Sequence, residues 1–165
     1  FDMVVSVTVG VMLAAILFMR RMAEVSDAKL VSAGGQYAGV EVPNGVTLYR
    51  IDGPLFFGAA QKAMQTFGEI GRESKVVIFD VSNVPAIDAT GIVNLESALL
   101  RLRSRNALAL IVGAQPQPRT LIDGAELEKA TGVVMCDDLP QAFDRAEGFM
   151  DTRTHSQAAP PVRGD

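Results

Sequence analysis

The residues with the most obvious capacity for chemistry lie in one stretch, residues 79–102, which reads FDVSNVPAIDATGIVNLESALLRL. Ser82 and Asn83 follow an apolar run and can bond to nearby backbone groups, and Asp88 is a good cap for a helix that begins at Ala89. Gly91, in the first turn of that helix, would let another backbone approach closely. Spacing alone leaves two interpretations open, a capped strand-to-helix turn without chemistry and a surface that binds a partner.

Residues that commonly carry catalysis or metals are scarce elsewhere in the chain. The single cysteine is Cys136, and the single histidine, His155, lies in a polar tail. This excludes a Ser-His-Asp triad near the folded region, a two-histidine metal site and a cysteine zinc cage. Asp137 and Asp138 beside Cys136 could suggest a pair of metal ligands, but adjacent acids before a helix are more often solvated caps. We therefore expect no enzymatic activity, no metal site and no cofactor.

The charge balance argues against nucleic acid as a partner. Lys and Arg together number 15 against 19 Asp and Glu, so the formal net charge is -4. The chain has no Trp and only 6% aromatic residues. It therefore lacks both the excess of basic residues that binds phosphate backbones and the aromatic platform on which single strands stack.

The elements that must position the loop follow from short apolar runs that alternate with helical patterns. Strands are predicted at residues 46–51, 75–81, 107–114 and 133–135, and residues 55–57 either add a short strand or lead into the next helix. Helices are predicted at residues 59–70, 89–105, 116–129 and 139–150. This order is typical of an α/β domain, here a sheet of about four to five strands covered by about four helices.

The predicted helix after Asp88 carries the clearest apolar stripe. Leu95, Leu99 and Leu102 recur at helical spacing and should anchor the helix onto the sheet. Gly91 is expected at an exposed first-turn position that would tolerate a long side chain. The run at residues 75–81 is almost continuously apolar, which is the pattern of a strand covered on both faces.

Residues 1–21 differ from the rest because residues 3–19 contain no charge and Arg20 and Arg21 follow them directly. As a helix, residues 1–19 would span about 28 Å, close to the thickness of a bilayer core. The two arginines favour placement of the following chain in the cytoplasm. The alternative is a buried core helix. Because the chain opens with Phe, we expect a fragment of a longer protein whose last membrane span is this segment.

The loop pattern resembles that of the STAS domain, the family named for sulfate transporters and anti-sigma factor antagonists. The family pattern D-x-S-x-x-x-x-x-D-S/A-S/T-G is matched, position by position, by a set of six residues: Asp80, Ser82, Asp88, Ala89, Thr90 and Gly91. The opening segment likewise resembles the final membrane helix of SulP-type anion permeases, which runs into a cytoplasmic STAS domain. One residue departs from the soluble antagonists, which carry a phosphorylatable serine where this chain has Ala89.

The resemblance implies a regulatory and assembly domain of a SulP-type transporter for sulfate or a related anion, in the cell (inner) membrane with its STAS domain in the cytoplasm. The six matching residues would form a partner-binding loop. Expected partners are the transporter's own membrane domain, a second copy of the chain and a cytosolic regulatory protein. The alternative is a soluble partner-switching protein of the anti-sigma factor antagonist kind. The expected division is a membrane helix at 1–21, a connector at 22–44, the STAS domain at 45–150 and a disordered tail at 151–165.

Overall fold

The computed structural model describes residues 2–25, 27–31, 35–37, 39–55 and 74–157, and the side chains of residues 22–29, 40 and 154–157 lie outside that description. The described residues form five helices and seven strands. The helices are α1 (Met3–Val25), α2 (Ala89–Ser104), α3 (Pro116–Gly124), α4 (Leu127–Thr131) and α5 (Leu139–Gln157). The strands are β1 (Asp27–Val31), β2 (Gln36–Tyr37), β3 (Val40–Glu41), β4 (Val46–Asp52), β5 (Val76–Asn83), β6 (Leu108–Val112) and β7 (Val134–Cys136).

Five of these strands make one sheet in the order β1-β4-β5-β6-β7. β4 to β7 run parallel, while β1 pairs antiparallel with β4 at the edge. β2 and β3 form a separate two-stranded hairpin. The predicted α/β sheet is therefore confirmed.

The sheet buries both of its faces, because alternate residues along each strand point to opposite sides. On one face Tyr49 and Phe79 belong to the apolar cluster that includes α2, and their rings meet edge to face with centroids 6.0 Å apart. On the other face Leu48 and Ile78 pack in a cluster with Phe143 of α5.

Helix α2 is held on the sheet by the predicted leucines. Leu95, Leu99 and Leu102 are all buried and belong to the same core cluster as Phe79. Neighbouring side chains on the outer side of the helix, such as Leu100, are exposed. The stripe of leucines thus fixes the helix that follows the loop.

Four predicted segments differ from the structure or lie outside its description. The segment predicted as a connector, residues 22–44, contains β1 and the β2-β3 hairpin, because its backbone pairs with β4 and with itself. The single helix predicted at 116–129 is two helices, interrupted where Glu126 adopts a left-handed backbone with φ of 50°. The helix predicted at 59–70 and the strand residues Phe56 and Phe57 lie outside the described residues, although Leu55 forms a β-bridge with Ile87.

The tail predicted from Asp151 also differs, because α5 continues to Gln157. Arg153 holds this last part of the helix: its Nη1 donates to the Asn106 carbonyl at 2.6 Å, and its guanidinium lies 5.3 Å from the centre of the Phe149 ring. Residues 158–165 lie outside the described part of the chain.

Helix α1 leaves its apolar side chains uncovered. Residues Met3–Arg21 have a mean hydropathy of 2.2, and none of that stretch is buried in the structure. The exposed fractions of its large apolar side chains run from 50% at Val9 to 81% at Met3. The helix is long and apolar enough to cross a membrane. The alternative was a buried core helix, but none of the described residues packs over this helix to bury it.

Candidate functional site

The loop at residues 80–91 begins at the carboxyl end of β5, where the neighbouring strand β4 also ends. Asp80 lies opposite Arg50 of β4 and Val112 of β6 in the sheet. Carboxyl ends of parallel strands are where α/β sheets present their binding loops, because the loops that leave the strands meet at that edge. The parallel register therefore brings the polar ends of β4 and β5 together.

Asp80 is buried, with only 5% of its surface exposed, and both of its carboxylate oxygens are occupied. Its Oδ2 accepts a hydrogen bond of 2.5 Å from the Tyr37 hydroxyl, and its Oδ1 accepts one of 3.0 Å from the Ser82 backbone N–H. Both bonds stabilise an acid that would be costly to bury alone. The first residue of the loop is thus a structural anchor for the hairpin that carries Tyr37.

The Tyr37 hydroxyl also connects Asp80 to a network of polar side chains that includes Arg50, Asp52 and Asn83. It accepts a hydrogen bond of 2.9 Å from Arg50 Nη1, and the Arg50 guanidinium lies 5.6 Å from the centre of the Tyr37 ring. Arg50 Nε and Asn83 Nδ2 both donate to Asp52 Oδ1 at 2.8 Å. Burial, and then the hydrogen bond to Asp80, raises the pKa of Tyr37 to about 12. Tyr37 therefore stays a neutral donor at physiological pH.

The middle of the loop is tied to the chain that follows β4. The Gly53 N–H donates to the Asn83 carbonyl and the Leu55 N–H to the Ala86 carbonyl, each at 3.0 Å. On the other side of the loop, the side-chain amide of Gln117 in α3 makes two hydrogen bonds to the backbone of Ile87. It accepts one from the Ile87 N–H and donates one to the Ile87 carbonyl, each at 2.9 Å. These bonds fix the backbone of the loop without using its exposed side chains.

Ser82 fits closely against the end of the next strand. Gly113, just after β6, has a left-handed backbone with φ of 71°, and a Cβ built on it would lie 2.0 Å from Ser82 Oγ. Gln115 Nε2 donates to the Ser82 carbonyl at 2.8 Å. Glycine at position 113 therefore gives the loop room to pass.

The end of the loop caps α2 as predicted. Asp88 is the N-cap residue, and its Oδ1 accepts a hydrogen bond of 2.7 Å from the Gly91 N–H. Gly91 is buried, however, and the expectation that it is exposed and would tolerate a long side chain is wrong. A Cβ there would lie 2.5 Å from the Leu55 carbonyl oxygen and 2.6 Å from Ile87 Cγ1, because the chain after β4 passes directly over the first turn of the helix. The predicted close approach of another backbone is confirmed.

Four polar or small side chains remain on the outside of this framework: Ser82, Asn83, Ala89 and Thr90 are exposed. Together with Pro85 they make a surface, which we call the loop face, above the edge of the sheet. The two acids of the loop, Asp80 and Asp88, accept structural hydrogen bonds, so neither is placed as a proton-transfer group.

The suggested ligand pair near Cys136 has a structural role. Asp138 Oδ1 accepts from the Gln141 N–H at 2.9 Å at the start of α5, which is a helix cap, and the Asp137 N–H donates to the Gln141 side chain. Cys136 is buried, and burial raises the pKa of its thiol. Across the ranges that the structure describes, no three His, Cys, Asp or Glu residues come together as metal ligands.

Sequence reasoning missed Tyr37 and Gln117, which hold the loop from outside it. Tyr37 lies 43 residues from Asp80 and Gln117 lies 30 residues from Ile87 along the chain, and neither forms a local pattern with its partner. The only local signal in the sequence was that each residue closely follows a residue type that commonly marks the boundary of a helix or strand. Gly35 precedes Tyr37, and Pro116 precedes Gln117.

The family model for the STAS domain matches residues 37–141, more than half of the chain. A putative sulfate transporter of Bacillus subtilis, YvdB, is 31% identical over 123 residues, which cover 74% of this chain and 23% of that protein. The bicarbonate transporter BicA of a Synechocystis species is 27% identical over 161 residues, which cover 91% of this chain and 28% of that protein. The chain thus spans about a quarter of the length of these curated relatives.

Solved structures agree with this match. The STAS domain of a SulP transporter from Vibrio cholerae is 26% identical with a TM-score of 0.57, and the match covers 67% of this chain and 88% of that one. An anti-sigma factor antagonist from Mycobacterium paratuberculosis shares the fold, with 17% identity, a TM-score of 0.56 and coverage of 72% and 95% of the two chains. From its capped loop, its sheet and these matches, the chain belongs to the STAS domain family and is homologous to the STAS domains of SulP sulfate transporters.

Proposed function

We propose that the chain is the regulatory and assembly STAS domain of a SulP-type transporter for sulfate, bicarbonate or a related anion. In this proposal α1 is the last membrane helix and the rest of the chain lies in the cytoplasm. The domain acts by contact with the membrane domain of its own transporter, with a second subunit or with a cytosolic protein. It catalyses no reaction.

The observation that carries the proposal is the uncovered apolar helix joined directly to a STAS fold. The apolar side chains of α1 face solvent, and burying them in lipid instead would be favourable by roughly 25 cal/mol for each Å² removed from water. Arg20 and Arg21 end the uncharged run on the side of the domain, where basic residues favour the cytoplasm. Val25 and Asp27 then lead into β1 without a long linker.

The two curated relatives support the substrate class in the proposal. One is named as a putative sulfate transporter and the other as a bicarbonate transporter, and this chain aligns with about a quarter of each. Both substrates are small oxyanions. In the proposed transporter, the membrane spans would select between these two anions.

The loop face is the proposed contact surface. Ala89 is exposed at the first position of α2 but has no hydroxyl to phosphorylate, so regulation by phosphate at that position is ruled out chemically. Asp80 and Asp88 keep the shape of the loop through internal hydrogen bonds. The loop thus keeps its shape although it lacks the residue that would accept a phosphate. This combination supports a loop face that acts by binding another protein surface.

A membrane-association assay tests the first half of the proposal. The full chain, with a C-terminal tag, would be expressed in bacteria, and membranes would be extracted with alkaline carbonate. We expect the wild-type chain to remain in the pellet and the tag to resist protease in intact spheroplasts but not in lysed ones. A matched variant, Leu13→Lys with Leu17→Lys, should lose membrane integration because charges inside the span are costly.

Two outcomes would contradict the proposal. A wild-type chain that is extracted into the supernatant as a folded monomer would favour the alternative, a soluble partner-switching protein like the anti-sigma factor antagonists. A tag that is digested in intact spheroplasts would place the domain outside the cytoplasm.

A further inference from the structure

A second candidate site lies at the end of the sheet opposite the loop face. A cleft of about 340 Å³ opens beside Leu108, the first residue of β6. It lies between the two helical layers, since Leu99 of α2 lines one wall and Phe149 of α5 another. Its volume is at the small end of the range for sites that bind small molecules.

Two arginines, Arg103 and Arg153, line this cleft. Arg103 Nη1 donates to the Ala130 carbonyl at 2.7 Å, and Arg153 Nη1 donates to the Asn106 carbonyl at 2.6 Å. Each bond uses one of the five N–H donors of a guanidinium and holds the group in place. Fixed guanidiniums that keep further donors are well suited to bind carboxylates and phosphates.

The electrostatics of the cleft contrast with those of the whole molecule. Among the described residues that line it, none is Asp or Glu, whereas the complete chain has a net charge of -4. The two arginines are therefore not neutralised by a carboxylate on the cleft wall. Each guanidinium instead binds a neutral backbone carbonyl, and so its positive charge persists.

Apart from Asn106, Thr131 and Gly132, the remaining walls are apolar. Ala107, Leu108 and Phe149 contribute hydrocarbon surface next to the arginines. The Arg153 guanidinium lies over the Phe149 ring, which places a cation and an aromatic face side by side. A ligand that matches both kinds of wall needs a negatively charged group and an apolar body.

We infer that this cleft, which we call the arginine cleft, binds a small organic oxyanion, a carboxylate or phosphate ester attached to an apolar group. The oxyanion lies against Arg103 and Arg153, and the apolar group lies against Leu108 and Phe149. The inference concerns the opposite edge of the sheet from the loop face and does not depend on the proposed transport function.

Isothermal titration calorimetry on the full chain in neutral detergent tests this inference. The probes are phenyl phosphate, benzoate, inorganic phosphate and benzyl alcohol. We expect phenyl phosphate or benzoate to bind, and the stronger of the two identifies the oxyanion. Inorganic phosphate should bind about tenfold more weakly because it has no apolar group, and benzyl alcohol should not bind because it has no charge.

Charge-removing variants locate the binding. Arg103→Gln and Arg153→Gln should each weaken the stronger probe by about tenfold or more. The control is Arg101→Gln, which removes the same charge from an exposed residue of the same helix outside the cleft, and it should bind like wild type. Amide shifts of Asn106 and Gly132 on titration of the wild-type chain give a readout that does not need the variants to fold.

The inference is overturned if neither aromatic anion binds at millimolar concentration. It is also overturned if Arg101→Gln weakens binding as much as the cleft variants, which would indicate general attraction to basic surface. Equal affinity for inorganic phosphate and phenyl phosphate would contradict the role given to the apolar walls, and unmoved signals from Asn106 and Gly132 would contradict the location.

Discussion

At the scale of single residues, the loop depends on side chains that satisfy a buried acid. Asp80 is accessible to solvent over only 5% of its surface and takes one hydrogen bond from Tyr37 and one from the backbone of Ser82. Tyr37 in turn belongs to a hairpin that has no other strand neighbour among the described residues. One hydroxyl therefore links the hairpin before β4 to the start of the loop.

Tyr37→Phe should destabilise the domain by about 1 to 3 kcal/mol, because it leaves one oxygen of a buried carboxylate without its donor. The free energy of unfolding of the full chain in mild detergent, measured with urea, gives this value. Asp80→Asn and the double variant complete a cycle, and we expect the two changes to be clearly non-additive. Strict additivity would contradict the proposed link between the residues.

The same contact predicts a dependence on alkaline pH. The pKa of Tyr37 is raised from 10.0 to about 12, so its stabilising contribution is fully present below pH 10 and is lost as the pH rises towards 12. The difference in unfolding free energy between wild type and Tyr37→Phe should therefore be constant from pH 7 to about pH 10 and shrink above it. A difference that already falls between pH 7 and pH 9 would contradict the assignment.

Gly91→Ala should cost about 1 to 3 kcal/mol of stability, because the new methyl group would collide with the Leu55 carbonyl and with Ile87. Gly148→Ala in α5 is the matched control. A Cβ at position 148 meets nothing within 4 Å, so there the change should stabilise the helix by about 0.5 to 1 kcal/mol. Thermal unfolding of the two variants should shift in opposite directions, and a shared direction would count against the close packing at Gly91.

At the scale of elements, the apolar side of α2 sets the position of the loop. Leu99 is 1% exposed and its neighbour Leu100 is 43% exposed, so one helix offers a buried and an exposed leucine side by side. Leu99→Ala should destabilise the domain by about 2 to 5 kcal/mol. Leu100→Ala should change stability by no more than about 0.5 kcal/mol. Equal effects of the two substitutions in urea unfolding would mean that α2 is rotated about its axis, so that Leu99 no longer faces the core and Leu100 no longer faces solvent.

The sequence was most informative where the structure depends on local pattern. The leucines of α2 predicted its buried face, and Asp88 was predicted as the cap, because each of these depends on residues a few positions apart. β1 and the β2-β3 hairpin could not be predicted in the same way, since short strands are stabilised by pairing with distant backbone. Gly91 was misplaced for a related reason: the chain that covers it follows β4, far away in the sequence.

At the scale of the whole molecule, the chain presents three distinct surfaces. Helix α1 carries an apolar surface that fits lipid, the loop face closes the carboxyl edge of the sheet, and the arginine cleft opens at the other edge. β1 begins directly after α1, and its first residue, Asp27, pairs with Asp52 next to the loop. Because β1 follows α1 in the chain, the end of α1 and the loop face therefore lie at the same end of the sheet, where the parallel strands have their carboxyl ends.

This arrangement predicts that the loop face acts on the membrane domain of the proposed transporter. An exposed residue at its centre, Ala89, can be enlarged without disturbing the core, unlike Gly91. Ala89→Arg in the full-length protein should therefore leave expression and folding intact and reduce anion transport. Ala125→Arg is the matched control, because Ala125 is exposed between α3 and α4, away from the loop.

Uptake of labelled sulfate and bicarbonate into cells that express the full-length protein is the most direct measurement of this claim. At equal amounts of protein in the membrane, we expect Ala89→Arg to lower the initial rate of uptake of whichever anion the wild type transports, while Ala125→Arg stays at the wild-type rate. Equal uptake by all three proteins would remove the loop face from the mechanism, and a wild type that takes up neither of these anions nor a related small oxyanion would contradict the proposed function.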